Sequence, residues 1–110
     1  MEQASSPSVL FVRKKERYQK IRVQDILYIC TDGSCLEIIT TEERFSVLQD
    51  LPSFVRQNPI SALVQVHCSY IVNLAWVDSF DRGHIYVEHH QIPLGNEYRQ
   101  KFIESIRCFE

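Results

Sequence analysis

Hydrophobic and polar residues alternate in short runs along most of the chain, which is typical of β-strands that bury one face. Turn-forming residues separate the runs, and Asp32-Gly33 and Asp81-Arg82-Gly83 are the strongest turn signals. The runs are rich in β-branched and aromatic residues, as strands usually are. We therefore predict strands at residues 9–13, 18–23, 26–31, 35–40, 63–66, 70–74, 76–80, 84–88 and 91–94.

Two segments instead repeat their apolar residues every three or four positions, which is the period of an amphipathic helix. In the first segment, Leu48, Leu51 and Val55 are predicted to share one apolar face. Asp50 is a suitable N-cap and Pro52 fits the first turn, so this short helix is expected to begin near Asp50. The Asn-Pro pair that follows is expected to end it.

The second helical segment covers residues 97–108, and Asn96 is placed to cap it. Its apolar residues lie on one stripe, which comprises Tyr98, Phe102, Ile106 and Phe109. We expect this helix to pack against the strands and close the domain. Short strands joined by brief turns favour an all-β sandwich or an open layered antiparallel sheet over parallel βαβ units.

The chain of 110 residues has the length of one domain and is too short for two. Residues 1–8 are small and polar, which predicts a linker or loose N-terminus before a single domain at 9–110. No apolar stretch reaches the roughly 18 residues of a membrane span, and the first residues lack the layout of a secretory signal. The protein is therefore expected in the cytosol, without membrane contact.

The formal net charge of -2 is unfavourable for a nucleic-acid ligand, but the basic residues are unevenly distributed. Residues 13–22 hold six of the twelve Lys and Arg side chains and a single acid, Glu16. Two interpretations of this hairpin remain open. It is either an ordinary solvated tip or a patch that binds phosphates.

Recognisable catalytic and metal-binding patterns are missing from the sequence. Three glycines cannot form a P-loop or a dinucleotide fingerprint, and neither G-x-S-x-G nor HExxH occurs, so we expect no enzyme and no cofactor. The adjacent His89 and His90 would point to opposite faces of a strand, which argues against a metal site. The four cysteines lack zinc-type spacing and are expected to be free thiols, rather than a pair of Cys30 with Cys35 across a turn.

Three motifs occur in an order that resembles one known family. Residues 66–74, V-H-C-S-Y-I-V-N-L, closely resemble the V-H-R-S-Y-I-V-N hallmark of the LytTR family of response-regulator output domains. Residues 25–29, followed by Asp32-Gly33, resemble the family's D-I-L-Y-I strand and turn. Residues 92–94, followed by Tyr98-Arg99, resemble its closing element. The similarity covers about residues 9–107, which a chance motif would not do.

The resemblance implies a mainly β fold of elongated, layered antiparallel sheets with one short internal helix and a C-terminal helix. It also implies a transcriptional regulator that reads the major groove of double-stranded DNA through loops, as a homodimer on repeated sites, with a receiver or sensor domain elsewhere. The base-reading residues would be Ser34, Cys35, His67, Cys68, Ser69, Asn96 and Glu97. The phosphate-binding residues would be Arg13, Lys14, Lys15, Arg17 and Arg99.

Two of these loops depart from the family pattern. Cys68 stands where many members have Arg, Lys or Asn, and residues 95–97 replace a stretch that usually supplies an Arg. A DNA-binding domain with a different target or weaker affinity is one interpretation. A LytTR-like domain that has lost DNA affinity and acts in protein interaction or dimerisation is the second. A small β domain that binds a ligand or metal through its histidines, His67, His89 and His90, is the third.

Overall fold

Ten strands and two helices form the part of the chain that the computed structural model describes, residues 9–108. The strands are β1 (Val9–Lys14), β2 (Arg17–Arg22), β3 (Ile26–Asp32), β4 (Cys35–Thr40), β5 (Arg44–Val47), β6 (Leu63–His67), β7 (Tyr70–Asn73), β8 (Val77–Phe80), β9 (His84–Val87) and β10 (His90–Pro93). The helices are α1 (Leu51–Gln57) and α2 (Asn96–Glu104). The predicted linker at 1–8 and Phe109 of the predicted stripe lie outside the described residues.

The strands form three antiparallel sheets in layers. A central sheet has the order β5-β4-β3-β7-β6, and it lies between the β1-β2 hairpin and a three-stranded sheet of order β10-β9-β8. Helix α1 packs on the hairpin side and α2 on the other side. This arrangement confirms the predicted mainly β, layered antiparallel fold with one internal and one C-terminal helix.

Both faces of the central sheet are buried, and the residues of β3 show why its sequence is a continuous apolar run. Ile29 belongs to the core beneath the hairpin and α1, whereas Tyr28 belongs to the core beneath the three-stranded sheet and α2. Successive strand residues point to opposite faces, so a strand covered on both sides needs apolar residues at every position. Four consecutive buried residues, Ile26 to Ile29, meet that requirement.

Helix α1 begins as predicted, but its buried face is different. The Asp50 carboxylate accepts a hydrogen bond from the amide of Ser53 at 2.8 Å, which caps the helix. Leu51 and Phe54 are the buried residues, whereas Leu48 is 82% exposed. The predicted face of Leu48, Leu51 and Val55 is therefore wrong. Residues 44–47 pair with β4 as an additional strand, and Leu48 lies between this strand and the start of the helix at Leu51.

Helix α2 is shorter than predicted and has a different N-cap. Gly95 occupies the N-cap position, and Asn96 is the first helical residue and makes no side-chain cap. The helix ends at Glu104 rather than at 108. Phe102 is fully buried, and its ring meets Phe80 edge-on at a centroid distance of 5.0 Å.

Asn73 is the only buried polar side chain among the described residues, and it joins three chain segments. Its side-chain amide donates to the carbonyl oxygens of Val23 and Ile26 at 3.0 and 2.9 Å, and its side-chain oxygen accepts from the amide of Ala75. The Asn73 side chain therefore ties together backbone groups at the end of β7. These bonds fix both the entry to β3 and the exit from β7.

Replacing Asn73 with alanine should lower the free energy of unfolding by about 3 kcal/mol, because two buried carbonyl groups and the part-buried amide of Ala75 lose their partner. Chemical denaturation of the two proteins measures the difference. Asn96→Ala is the matched control, because Asn96 is exposed and caps nothing, and it should leave stability nearly unchanged. Equal stability of Asn73→Ala and the unmodified chain would contradict this role.

Candidate nucleic-acid interface

The β3-β4 turn and the β6-β7 turn lie at the same edge of the central sheet. Strand β3 is antiparallel to β4 and to β7, so the end of β3 at Asp32 lies beside the start of β7 at Tyr70. The amide of Thr31 donates a hydrogen bond to the carbonyl oxygen of Ser69 at 3.1 Å, which ties the two turns together. Five predicted base-reading residues therefore share this edge: Ser34, Cys35, His67, Cys68 and Ser69.

The start of α2 joins the same edge beyond β6. The amide of Gly95 donates to the carbonyl oxygen of Val66 at 2.8 Å, which places Asn96 and Glu97 beside the β6-β7 turn. A shallow groove of about 270 Å³ separates the two segments, and it is lined by His67, Cys68, Gly95, Asn96, Glu97 and Tyr98. We call residues 33–35, 67–69 and 95–97 together the loop edge.

The ring of His67 is held in one orientation at the centre of the loop edge. Its Nδ1 accepts a hydrogen bond from the amide of Ser69 at 3.1 Å, and its ring meets Tyr70 edge-on at 5.7 Å. A neutral imidazole that accepts through Nδ1 carries its proton on Nε2. His67 therefore offers Nε2–H as a donor to a ligand.

Three other side chains of the loop edge are exposed and lack intramolecular hydrogen-bond partners within residues 9–108. Ser34, Asn96 and Glu97 are exposed, and all three carry groups that can pair with base edges. Glu97 and the neighbouring Asp32 also bring negative charge to this edge. A phosphate backbone could not lie directly against these two carboxylates without repulsion.

Two arginines lie next to the loop edge, and only one of them was predicted. Arg99 on the first turn of α2 donates from Nη1 to the carbonyl oxygen of Arg82 at 2.8 Å. The amide of Leu94 donates to the carbonyl oxygen of Gly83, so the β8-β9 turn lies beside the chain that enters α2. The sequence showed Arg82 only as a turn residue, and the strand pairing that brings it to Arg99 could not be inferred from its neighbours.

The β8-β9 turn that carries Arg82 is held by the carboxylate of Asp81. This carboxylate accepts hydrogen bonds from the Tyr86 hydroxyl at 2.9 Å and from the amides of Gly83 and His84. The bond from Tyr86, followed by that from Gly83, lowers the pKa of Asp81 below its usual value. Asp81 thus stays ionised at neutral pH and keeps the turn in shape.

The cationic hairpin is not brought to the loop edge. Lys14 forms an ion pair with Glu43 at 2.9 Å and lies over the Phe45 ring at 5.4 Å. Glu43 lies just before the start of β5. The other end of β5, at Val47, pairs with Leu36 beside the loop edge. The anchor of the hairpin tip is therefore about 13 Å from that edge, the length of the four-residue β5. The cations concerned are Arg13, Lys14, Lys15 and Arg17.

Comparison with known proteins identifies the family. The profile of the LytTr DNA-binding domain matches residues 16–107, which is most of the chain. The chain belongs to the LytTR family of DNA-binding domains. A solved LytTr domain, from a Bacillus cereus protein described as a methyl-accepting/DNA response regulator, has a TM-score of 0.75 at 14% identity. The alignment covers 91% of this chain and 97% of that one, and it shows a shared fold. No curated protein matches the chain.

The LytTR domain presents one exposed apolar residue beside the loop edge, which the sequence pattern placed on the apolar face of the first helix. Leu48 is the first residue after β5, and the last β5 residue, Val47, pairs with Leu36 directly beside Cys35. Its 82% exposure leaves the side chain available to a ligand at this edge. The helical period misplaced it, because the period does not show where the strand before the helix ends.

Two histidines of the LytTR domain make hydrogen bonds at separate places in the fold. His90 Nδ1 shares a hydrogen bond of 3.2 Å with the Tyr28 hydroxyl, and His67 is bonded to Ser69. No three His, Cys, Asp or Glu side chains between residues 9 and 108 converge in a way that could hold a metal ion. The same residues include no helix with the length and apolar character that a membrane crossing requires.

All four cysteines are free thiols, and two of them belong to the loop edge. Cys35 pairs with Asp32 and Cys30 pairs with Glu37 across β3 and β4, so the two cysteines do not face each other. Burial, followed by the charge of Glu37, raises the pKa of Cys30. Cys68 is exposed at the loop edge, so its thiol is accessible to reagents.

Proposed function

We propose that this LytTR domain binds double-stranded DNA sequence-specifically by inserting the loop edge into the major groove. The observation that carries the proposal is the convergence of three loops, from distant parts of the chain, at one edge with unpaired polar side chains. Base edges are read by such groups, whereas backbone contacts fix register. The domain acts as a binding module and not as an enzyme.

Each side chain of the loop edge matches a definite base chemistry. Asn96 can pair with adenine through both its amide atoms, and Nε2–H of His67 can donate to guanine or to thymine O4. Glu97 can accept from the amino group of cytosine, and its charge favours a place in the groove over one at the backbone. Ser34 and Ser69 can both donate and accept. Cys35 and Cys68 are weak donors and contribute contact area instead.

Arg99 and Arg82 supply the phosphate contacts that position the loops. Both lie beside the start of α2, and the bond to the backbone carbonyl oxygen of Arg82 orients the Arg99 guanidinium. Two cations give modest affinity for one domain. Two copies on repeated sites would add their binding energies, which supports a homodimer as the DNA-bound form.

The wider role proposed for the domain is the cytosolic output of a transcriptional regulator, with a receiver or sensor domain elsewhere supplying the signal. The Bacillus cereus domain of the same fold belongs to a protein described as a DNA response regulator, which supports this role. One feature favours a second candidate function. The loop edge carries the carboxylate of Glu97 and a cysteine at 68, and the carboxylate of Asp32 lies next to it, so a protein-interaction or dimerisation module is the alternative.

Selection of bound sequences from a random duplex pool separates the two functions. DNA reading predicts an enriched motif and a mobility shift that weakens with added salt. Asn96→Ala should then relax preference at one base pair, at a cost of about 1–3 kcal/mol for the preferred base. Ser34→Ala should act at a different position. An unenriched pool and no mobility shift at low salt would reject DNA reading and favour the protein-interaction module.

Arg99→Ala should weaken binding several-fold at every sequence and reduce the salt slope by about one, because one phosphate contact is lost. Arg107→Ala is the matched control, since Arg107 is an exposed arginine beyond the far end of α2. Fluorescence anisotropy at three salt concentrations measures both slopes. Equal slopes for the two variants would remove Arg99 from the interface.

Leu48 should contact a thymine methyl group, because it is the exposed apolar side chain at the loop edge. Leu48→Ala should lower the affinity for the selected duplex roughly fivefold, which corresponds to about 1 kcal/mol for a buried methyl-sized contact. Replacing each thymine in turn with deoxyuridine removes only the methyl. In the unmodified domain, deoxyuridine at one position should weaken duplex binding. The same replacement should not weaken duplex binding by Leu48→Ala any further. Val55→Ala, one turn into α1, is the control. The contact would be disproved if the loss of affinity caused by Leu48→Ala added independently to the loss caused by removing each methyl group.

A further inference from the structure

The β1-β2 hairpin has an outer face that neither the core nor the loop edge uses. Leu10, Val12 and Ile21 point inward and are buried. Because strand residues alternate, the remaining positions point outward. Phe11 and Tyr18 on that face are 61% and 66% exposed, an unusual solvent exposure for two aromatic rings on one short hairpin.

Cations surround both rings in a fixed register. Phe11 lies opposite Lys20, and Arg13 lies opposite Tyr18. Each ring therefore has a cation across the ladder and another along its own strand, and Arg22 extends the pattern on β2. Phe11 and Tyr18 are diagonal neighbours on the ladder, which places their Cα atoms about 7–8 Å apart. We call Phe11, Arg13, Tyr18, Lys20 and Arg22 the hairpin face.

The charge of this hairpin is concentrated and lies away from the loop edge. Residues 13–22 carry six cations against one acid, Glu16, although the whole chain is net negative. Lys14 points to the opposite side of the hairpin and is neutralised by Glu43. The cations of the hairpin face have no carboxylate partner among the described residues. A duplex in contact with the loop edge leaves this positive surface free for another anion.

We propose that the hairpin face binds single-stranded nucleic acid, with unpaired bases stacked on Phe11 and Tyr18 and phosphates held by Arg13, Lys20 and Arg22. Aromatic rings set among cations are the usual platform for single strands, because every unpaired base offers a π-face. A duplex keeps its bases stacked inside and would leave both rings in water. The chemistry suits a DNA or an RNA strand, and the site is independent of the loop edge.

The turn at the hairpin tip has a lysine at a position with a strained backbone conformation. Lys15 is the first residue of the two-residue turn between Lys14 and Arg17, and its φ is 62°. A side chain in this left-handed region costs energy that glycine, and partly asparagine, would avoid. A lysine at this position keeps a cation at the tip in spite of that strain. Strain retained in this way is typical of sites with a function.

Fluorescence anisotropy of the full chain with a labelled 12-nucleotide oligothymidine, or the matching oligouridine, tests the proposal. Phe11→Ala with Tyr18→Ala should weaken binding roughly tenfold or more, because each stacked base contributes. Three phosphate contacts predict a salt slope of about -2 for a single strand. Val55→Ala is the matched control, since it removes an exposed apolar side chain on α1, outside both the hairpin and the loop edge, and should leave oligonucleotide affinity unchanged. Thermal melting shows that each variant folds.

Two further comparisons separate this site from the loop edge. The hairpin variant should retain its affinity for a selected duplex, and Asn96→Ala should retain its affinity for oligothymidine. Lys15→Asn should raise the melting temperature while weakening oligothymidine binding.

The proposal is overturned if oligothymidine does not bind, or if it binds equally well to the variant without the two rings. It is also overturned if an acidic peptide such as oligoglutamate binds tightly in place of the oligonucleotide, which would indicate an acidic protein partner. None of these results would affect duplex binding by the loop edge.

Discussion

The pairing of β3 with β7 is the constraint on which the rest of the molecule depends. It joins residues 28–30 to residues 70–72, in the middle of a sheet whose two faces are both covered. The same pairing places the β3-β4 and β6-β7 turns side by side. The start of α2 is bonded to β6 through the amide of Gly95 and the carbonyl oxygen of Val66. Asn73 fixes the base of the paired strands through three hydrogen bonds, two of them buried. A rigid central sheet can thus present loops whose own residues make few contacts, which is how binding loops usually keep their geometry.

The second organising feature is that the densest group of cations lies apart from the loop edge. Within the described residues, the loop edge combines polar side chains with the carboxylate of Glu97, and Asp32, Arg82 and Arg99 lie at its margin. The densest cationic segment, residues 13–22, is anchored by Lys14 at the opposite end of β5. A domain that relied on the loop edge for non-specific attraction would carry its cations there. This distribution agrees with the two proposed roles, sequence discrimination at the loop edge and binding of a separate anionic partner at the hairpin.

Local pattern predicted most strands, both helices and the Asp50 cap, because alternation and capping are properties of neighbouring residues. The motif at 66–74 predicted the family and, through it, the convergence of the loops, which alternation alone could not have shown. Strand β5 was missed because its four residues run directly into a helical period, and Leu48 was misassigned for the same reason. Arg82 and the distant position of the hairpin depend on tertiary pairing. No window of sequence contains that information, since Lys14 and Glu43 are far apart in the chain.

Protection of thiols by duplex DNA tests the central claim most directly. Cys68 lies at the loop edge, and Cys108 lies beyond the far end of α2, a helix of nine residues that is about 13 Å long. Both thiols are exposed, so N-ethylmaleimide should modify both in the free domain, and digestion with mass spectrometry gives their separate rates. A saturating duplex of the selected sequence should slow modification of Cys68 strongly and leave Cys108 unchanged. Unchanged modification of Cys68 under saturation, or protection of Cys108 instead, would contradict binding through the loop edge.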